Sequence, residues 1–410
     1  MKRRVLAVAA VVWALALVAV ASSTLTMLIT GTAGSAGSRA ITDEELEFLD
    51  RYQRLDEVRG IIDESYYTEV DEEVLVQGAI DGMLASLDDP YTFYYTAEDM
   101  LDRQESATGE YKGVGMSVQM DGNGFITVVR VFEDSPADRG GILSGDTLIA
   151  IDGEMLNIQS AKDLDEAVTR IRGVENTDVK LTVIRGEEEL EFTVTRGDVS
   201  INYVEYQLID DVGYIHIYEF EGTTAASFHK AVEYFREQNV AGVIIDVRDN
   251  PGGMLDSVVE IADTLVPKGR VIYTEDRAGN VTSYYSSDSY WGIPLVMLIN
   301  GNSASASEIL AAAVQDYGMG TIMGTTSYGK GIVQLLMAFD DGAGMQFTES
   351  TYYTPSGRCI HGTGVDPDIV VELSEDYDPS IRGVDLENDN QLAAAMDEVH
   401  ALAESAAAEQ

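Results

Sequence analysis

Ser305 stands in the run Asn302-Ser303-Ala304-Ser305-Ala306-Ser307-Glu308, and 25 residues later Lys330 sits between two glycines in Ser327-Tyr328-Gly329-Lys330-Gly331. A hydroxyl is a poor nucleophile at neutral pH and needs an adjacent base. A lysine can be that base only where its surroundings keep the amine neutral. An ordinary lysine titrates near ~10.4, so work near neutrality asks for a drop of roughly 2 to 3 pH units, which desolvation can supply. Residues 330 to 339 read as a strand, and the two-residue period puts Lys330, Ile332, Gln334 and Leu336 on one face. The amine then has apolar company and one neutral amide, Gln334, whose carbonyl oxygen can orient it without adding charge.

Each of these residues also has a plainer reading. Ser305-Ala306-Ser307-Glu308 fits a capping box, serine as N-cap and glutamate at N3. The two roles coexist, because a helix N-terminus carries free N–H groups and the positive end of the dipole, where an oxyanion is stabilised. Gly324 to Gly331 nearly matches a phosphate-binding loop, but Gly331 stands where a magnesium-ligating hydroxyl is required. Ser327-Tyr328-Gly329-Lys330 matches S-x-x-K without the S-D-N or K-T-G partners of penicillin-binding enzymes. Upstream, Val243-Ile244-Ile245-Asp246-Val247-Arg248-Asp249-Asn250-Pro251-Gly252-Gly253 is an apolar strand running into a tight turn whose glycines let backbone N–H groups approach a carbonyl.

Together these stretches resemble the C-terminal processing peptidases, or tail-specific proteases, over roughly residues 41 to 375. The resemblance implies an α/β, ClpP/crotonase-like protease core carrying an inserted PDZ domain, with Ser305 as nucleophile, Lys330 as general base and Gln334 orienting the lysine. It places the oxyanion hole on the backbone N–H groups of Ala306 and Gly253. Asp316, about 16 Å along the helix from Ser305, is read as structural. No cofactor is implied. Tyr111, Gly113, Val114, Gly115 and Met116 are similar to the carboxylate-binding loop of a PDZ domain, a module that adds an extended peptide to a sheet edge. Arg172 matches the arginine by which the family's PDZ domain reports ligand occupancy to the core; alone, it is also an ordinary cation at a helix end. The implied partners are C-terminal tails of exported proteins, a second copy in a homodimer, and a regulatory protein.

Composition sets the context. Lys2-Arg3-Arg4 precedes an uncharged stretch from Val5 to Ser38, aliphatic to Ala21, which reads as a signal anchor or a signal peptide; its length favours an uncleaved transmembrane anchor, with the N-terminus in the cytoplasm and the enzyme outside. A formal charge of −45 excludes nucleic acid and anionic lipid as partners of the folded part. The single cysteine, Cys359, excludes an internal disulfide framework, and none of the four histidines shows metal-ligand spacing. The expected domains are 1–40 anchor and linker, 41–110 a helical arm for dimerisation, 111–197 the PDZ domain, 198–375 the protease core, and 376–410 an acidic helical tail at a dimer contact. A competing reading is a catalytically silent PDZ scaffold on the same fold. Intact Ser305, Lys330 and Gln334 argue for the enzyme.

Overall fold

The computed structural model describes residues 43–120, 125–158, 161–287, 289–374, 377 and 384–408. The stretch from Val5 to Ser38 lies outside them, and among the described residues no helix is long and apolar enough to cross a membrane. The chain divides into two bodies, Met1–Asp88 and Asp89–Gln410. The described part of the first holds helices α1 (Asp43–Ser65) and α2 (Glu72–Ala85), the latter capped by the Asp71 carboxylate. After Pro90 the chain becomes β1 (Phe93–Tyr95), which joins a sheet of the second body, and then α3 (Ala97–Thr108).

From there β2 (Glu110–Gly113) enters the PDZ module and β9 (Gly197–Ser200) leaves it; the two pair antiparallel, so the module hangs on a two-stranded neck. Between them lie β3 (Met116–Met120), β4 (Ile126–Val131), α4 (Pro136–Gly140), β5 (Thr147–Ile151), β6 (Glu154–Met155), α5 (Ala161–Arg172), β7 (Asp178–Arg185) and β8 (Glu188–Thr195). The sheet order is β3-β4-β5-β7-β8, with β6 on β5, which leaves β3 as a free edge. Its core is Ile126, Val128, Leu148, Ile151, Leu181 and Val183 with Ala167 and Ile171 of α5.

The protease core follows. It comprises β10 (Val204–Ile209), β11 (Val212–Ile217), α6 (Thr224–Gln238), β12 (Gly242–Asp246), α7 (Leu255–Leu265), β13 (Gly269–Asp276), β14 (Val281–Ser286), β15 (Leu295–Ile299), α8 (Ala306–Tyr317), β16 (Thr321–Gly324), β17 (Ile332–Ala338), β18 (Gly344–Tyr353), β19 (Ile369–Val370) and α9 (Asn390–Ala408). Strands β11-β12-β15-β16-β19 run parallel, with β10 antiparallel at the edge. β12 and β15 are buried along their whole length, as continuous apolar runs in a parallel sheet should be. Helices α6, α7 and α8 cover one face, and α9 covers the other through Leu392, Ala395, Met396 and Val399. The C-terminal helix thus packs into this chain's own core. A second sheet, β1-β18-β13-β14 with β17 on β18, lies beside it.

Candidate active site

The site forms outside the carboxyl ends of β12 and β15, where open α/β sheets present ligand-binding groups. The turn after β12 is held by Asn250, which is fully buried. Its amide donates to the Ile217 carbonyl (2.7 Å) and its side-chain oxygen accepts from the Gly252 N–H (2.9 Å). Its carbonyl accepts from the Ala304 N–H (3.0 Å) and the Ser307 hydroxyl (2.9 Å), which fastens the glycine turn to the serine cluster. Behind it, burial would push the Asp246 carboxyl up, but the Arg248 guanidinium overrides this and holds it down at about 2. Arg248 also donates to Asp389 (2.7 Å) and Gln391 (3.0 Å), so the root of α9 braces the turn.

The three serines of the cluster separate cleanly. Ser303 is buried and donates to the Val247 carbonyl (2.7 Å), and Ser307 is buried and donates to Asn250. Ser305 is partly exposed; its hydroxyl stands at the N-cap of α8 in a capping box with Glu308 and, among the described residues, donates to no acceptor. Its backbone sits at φ 53°, ψ −112°, a region a non-glycine residue occupies at a cost of about 1–3 kcal/mol and one found mostly at functional sites. Gly252 lies so near that a Cβ there would come within 2.7 Å of the Ser305 Cβ, and Gly252 and Gly253 both have positive φ (111° and 140°). Among the described residues the N–H groups of Ala306 and Gly253, the two expected oxyanion donors, make no hydrogen bond.

Glu308, which the sequence reading treats only as a capping residue, is the hub of the site. Fully buried, it accepts from the Ser305 N–H (2.9 Å), the Ser327 hydroxyl (2.5 Å), the Gly329 N–H (2.7 Å) and the Lys330 N–H (2.8 Å). One carboxylate therefore fixes the backbones of both Ser305 and Lys330. It also explains why the strand begins at Ile332 and not at Lys330: the amides before it are committed to Glu308 and cannot join the ladder.

Lys330 Nζ does not hydrogen-bond to Ser305 or to Gln334 among the described residues; it lies over the Tyr91 ring, 4.4 Å from the centroid. The half-buried amine is pushed below the ordinary lysine range by desolvation, against the opposing pull of Asp89 and Glu308. Lys330 lies ahead of β17, which starts at Ile332, so it does not share a strand face with Gln334, whose amide faces Thr348 (3.5 Å). Asp316 accepts from Thr354, Ser356 and Arg358 at 2.6–2.8 Å, the structural role expected of it. Cys359 is exposed, and among the described residues no histidine is bonded to a serine hydroxyl.

In the PDZ module the N–H groups of Val114 and Gly115 are without a hydrogen bond among the described residues, and Gly115 takes φ 86° where a Cβ would strike Ser135. Arg172 lies over the Tyr111 ring (5.5 Å to the centroid), not beside Lys330. A cavity of 690 Å³ runs from β3 and α5, past Arg172, to Asp249, Pro251 and Asn300 at the glycine turn.

Residues 211–371 match the model of peptidase family S41, 127–185 that of a PDZ domain, and 17–99 that of the activating protease CtpB N-terminal domain. A carboxy-terminal-processing protease of Bartonella bacilliformis is 35% identical over 347 residues, which are 82% of this chain and 79% of that protein. A CtpA-like serine protease of Staphylococcus aureus is 33% identical over 78% of this chain, and the match spans 64% of the staphylococcal protein. Among solved structures, the photosystem II D1 C-terminal processing protease is similar at a TM-score of 0.50 with 28% identity, over 85% of this chain and 96% of that one. An S41 protease of Bacteroides fragilis, 14% identical, shares the fold at a TM-score of 0.56, over 82% and 92% of the two chains.

Proposed function

The chain belongs to the carboxy-terminal-processing proteases of peptidase family S41, and we propose that it is an endopeptidase that takes the C-terminal tail of a protein substrate on its PDZ edge strand and cleaves with Ser305 and Lys330. The observation that carries this reading is the singling out of Ser305: among the described residues it alone of the three clustered hydroxyls donates to no acceptor, on a strained backbone beside two N–H groups that make no hydrogen bond. In the first step the Ser305 hydroxyl proton passes to neutral Lys330 while Oγ attacks the scissile carbonyl carbon. The N–H groups of Ala306 and Gly253 receive the oxyanion. The Lys330 ammonium then protonates the leaving amine as the C–N bond breaks; water, giving its proton to Lys330, attacks the ester carbonyl, the acyl C–Oγ bond breaks to release the acid, and Lys330 returns the proton to Ser305 Oγ. For this the amine must leave the Tyr91 ring, and Gln334 must turn from Thr348 to orient it. The basic Lys2-Arg3-Arg4 flank and the uncharged stretch after it support an extracytoplasmic enzyme tethered at its N-terminus.

Digestion of an unstructured peptide with an apolar C-terminus tests the reading. The wild type should cleave it with kcat/KM rising with pH through an inflection below the ordinary lysine range, since the base works only uncharged and burial lowers its pKa. The Ser305→Ala chain should not cleave. Cleavage by that variant would remove Ser305 as nucleophile, and an inflection at pH 4 to 5 with a flat profile above would replace Lys330 by a carboxylate base; no cleavage by the wild type would favour the silent scaffold.

A further inference from the structure

We propose that Tyr91 is a positioning residue for Lys330: its ring face receives the ammonium form and withholds the amine from Ser305, so that loss of the proton and release of the side chain occur together. The proposal rests on the reading of Lys330 as the base and names a residue that the family motifs at Ser305 and Lys330 do not include. The geometry carries it. Lys330 Nζ stands 4.4 Å from the Tyr91 ring centroid, within the range of a cation–π contact, and that attraction exists only for the charged amine. The ring is not loosely placed. Its hydroxyl hydrogen-bonds to that of Tyr328 (3.3 Å), two residues before the lysine, so the ring and the lysine loop are tied at both ends. The Tyr91 backbone is fixed as well: its N–H donates to Asp89 (2.9 Å) and its carbonyl accepts from Gln346 on β18 (3.2 Å). Thr92, buried beside it, donates to the second Asp89 oxygen (2.7 Å). The turn at Asp89 to Thr92 thus delivers an aromatic face to the lysine and locks it there through β18.

The charged and titratable groups around the amine are Asp89 from that turn, Glu308 from α8, and the Tyr91 and Tyr328 hydroxyls. Asp89 and Glu308 favour the ammonium, as the ring does, and each is engaged in other hydrogen bonds in the same structure. The hydrogen bond that Tyr91 donates to Tyr328, with burial, pushes the Tyr91 hydroxyl up to about 12, so it remains neutral through the range in which the lysine would work. What distinguishes the ring from the two carboxylates is that it is in contact with the amine, whereas among the described residues neither carboxylate forms an ion pair with it.

The experiment compares Tyr91→Phe, which keeps the ring, with Tyr91→Leu, which removes it. Two readouts are used: the pH profile of kcat/KM on a free-acid peptide, and the NMR titration of Lys330 Cε in a Ser305→Ala background. Replacing the ring should move the inflection and the titration together toward acid by roughly half a pH unit, so that well below the inflection the Tyr91→Leu enzyme is about threefold faster than wild type. The Tyr91→Phe profile should stay on the wild-type one. An unmoved titration in Tyr91→Leu, or equal shifts in the two variants, would overturn the proposal, the second because it would assign the effect to the hydroxyl. If the Lys330 titration moves while the kinetic inflection does not, the ring contact stands and the assignment of Lys330 as base is what fails.

Discussion

The turn that presents Ser305 and the loop that presents Lys330 lie on either side of Glu308, and they are fixed to different degrees. On the serine side Asn250, Ser303, Ser307 and Glu308 engage most polar groups of the turn, while among the described residues the Ser305 hydroxyl donates to no acceptor and two N–H groups beside it make no hydrogen bond. The lysine side has an equally fixed backbone, through Glu308, but its side chain rests on an aromatic ring and its expected partner Gln334 faces elsewhere. The contrast locates activation. On the proposed roles the nucleophile is ready and the base is not, so activity would require the Lys330 and Gln334 side chains to move while the backbone of the site stays in place.

The largest effect expected is from removing either reacting group. Ser305→Ala and Lys330→Ala should each lower kcat/KM by about 10⁴-fold or more, and the double variant should be no worse than either, because nucleophile and base act as a unit. Lys330→Arg should be equally inactive, since a guanidinium does not give up its proton. Additive losses in the double variant would mean that the lysine acts on binding alone, and the two sides of the site would not be one machine.

Much of this was legible in the sequence because it is local. The strand before Asn250-Pro251-Gly252-Gly253, the capping pattern at Ser305, and the lysine 25 residues on are each readable within a dozen residues. The partner of Lys330 was not, because Tyr91 lies on the far side of the PDZ module in sequence; its ring reaches a tyrosine 237 residues away. Glu308 shows how a correct local reading hides a larger role. It does accept from the Ser305 N–H as a capping glutamate, and nothing in a four-residue pattern tells that its other bonds go 19 to 22 residues down the chain. The α9 stripe of Leu392, Ala395, Met396 and Val399 has helical spacing, and its burial was available from the sequence.

The Glu308 clamp gives the next effect in size. Glu308→Gln keeps shape and volume but turns one acceptor oxygen into a donor facing N–H and O–H groups, so it should lower stability by about 2–4 kcal/mol and kcat by about 10²-fold. Thermal melts and saturating-peptide rates check the two separately. A variant that melts earlier yet keeps full kcat would show that the clamp holds the fold but does not set the relation between Ser305 and Lys330.

The smallest effect expected concerns the PDZ module, and it bears directly on what moves the base. Arg172 lies against Tyr111 at the cavity that joins the PDZ edge strand to the glycine turn, so a tail entering between β3 and α5 passes this pair before it reaches the core. The unpaired N–H groups of Val114 and Gly115 suit a terminal carboxylate, and a carboxylate seated there would compete with the Tyr111 ring for the guanidinium. A ligand shifts an equilibrium only by its differential affinity for the two states, here a fraction of one charge-assisted contact. Amidating the C-terminus of the peptide should therefore slow cleavage several-fold, and Arg172→Ala should lower kcat several-fold on the free-acid peptide at saturation. A rise in KM alone would make Arg172 a binding residue. Equal rates on amidated and free-acid peptides would mean that the tail carboxylate is not the signal, and that Lys330 leaves the Tyr91 ring without help from the PDZ module.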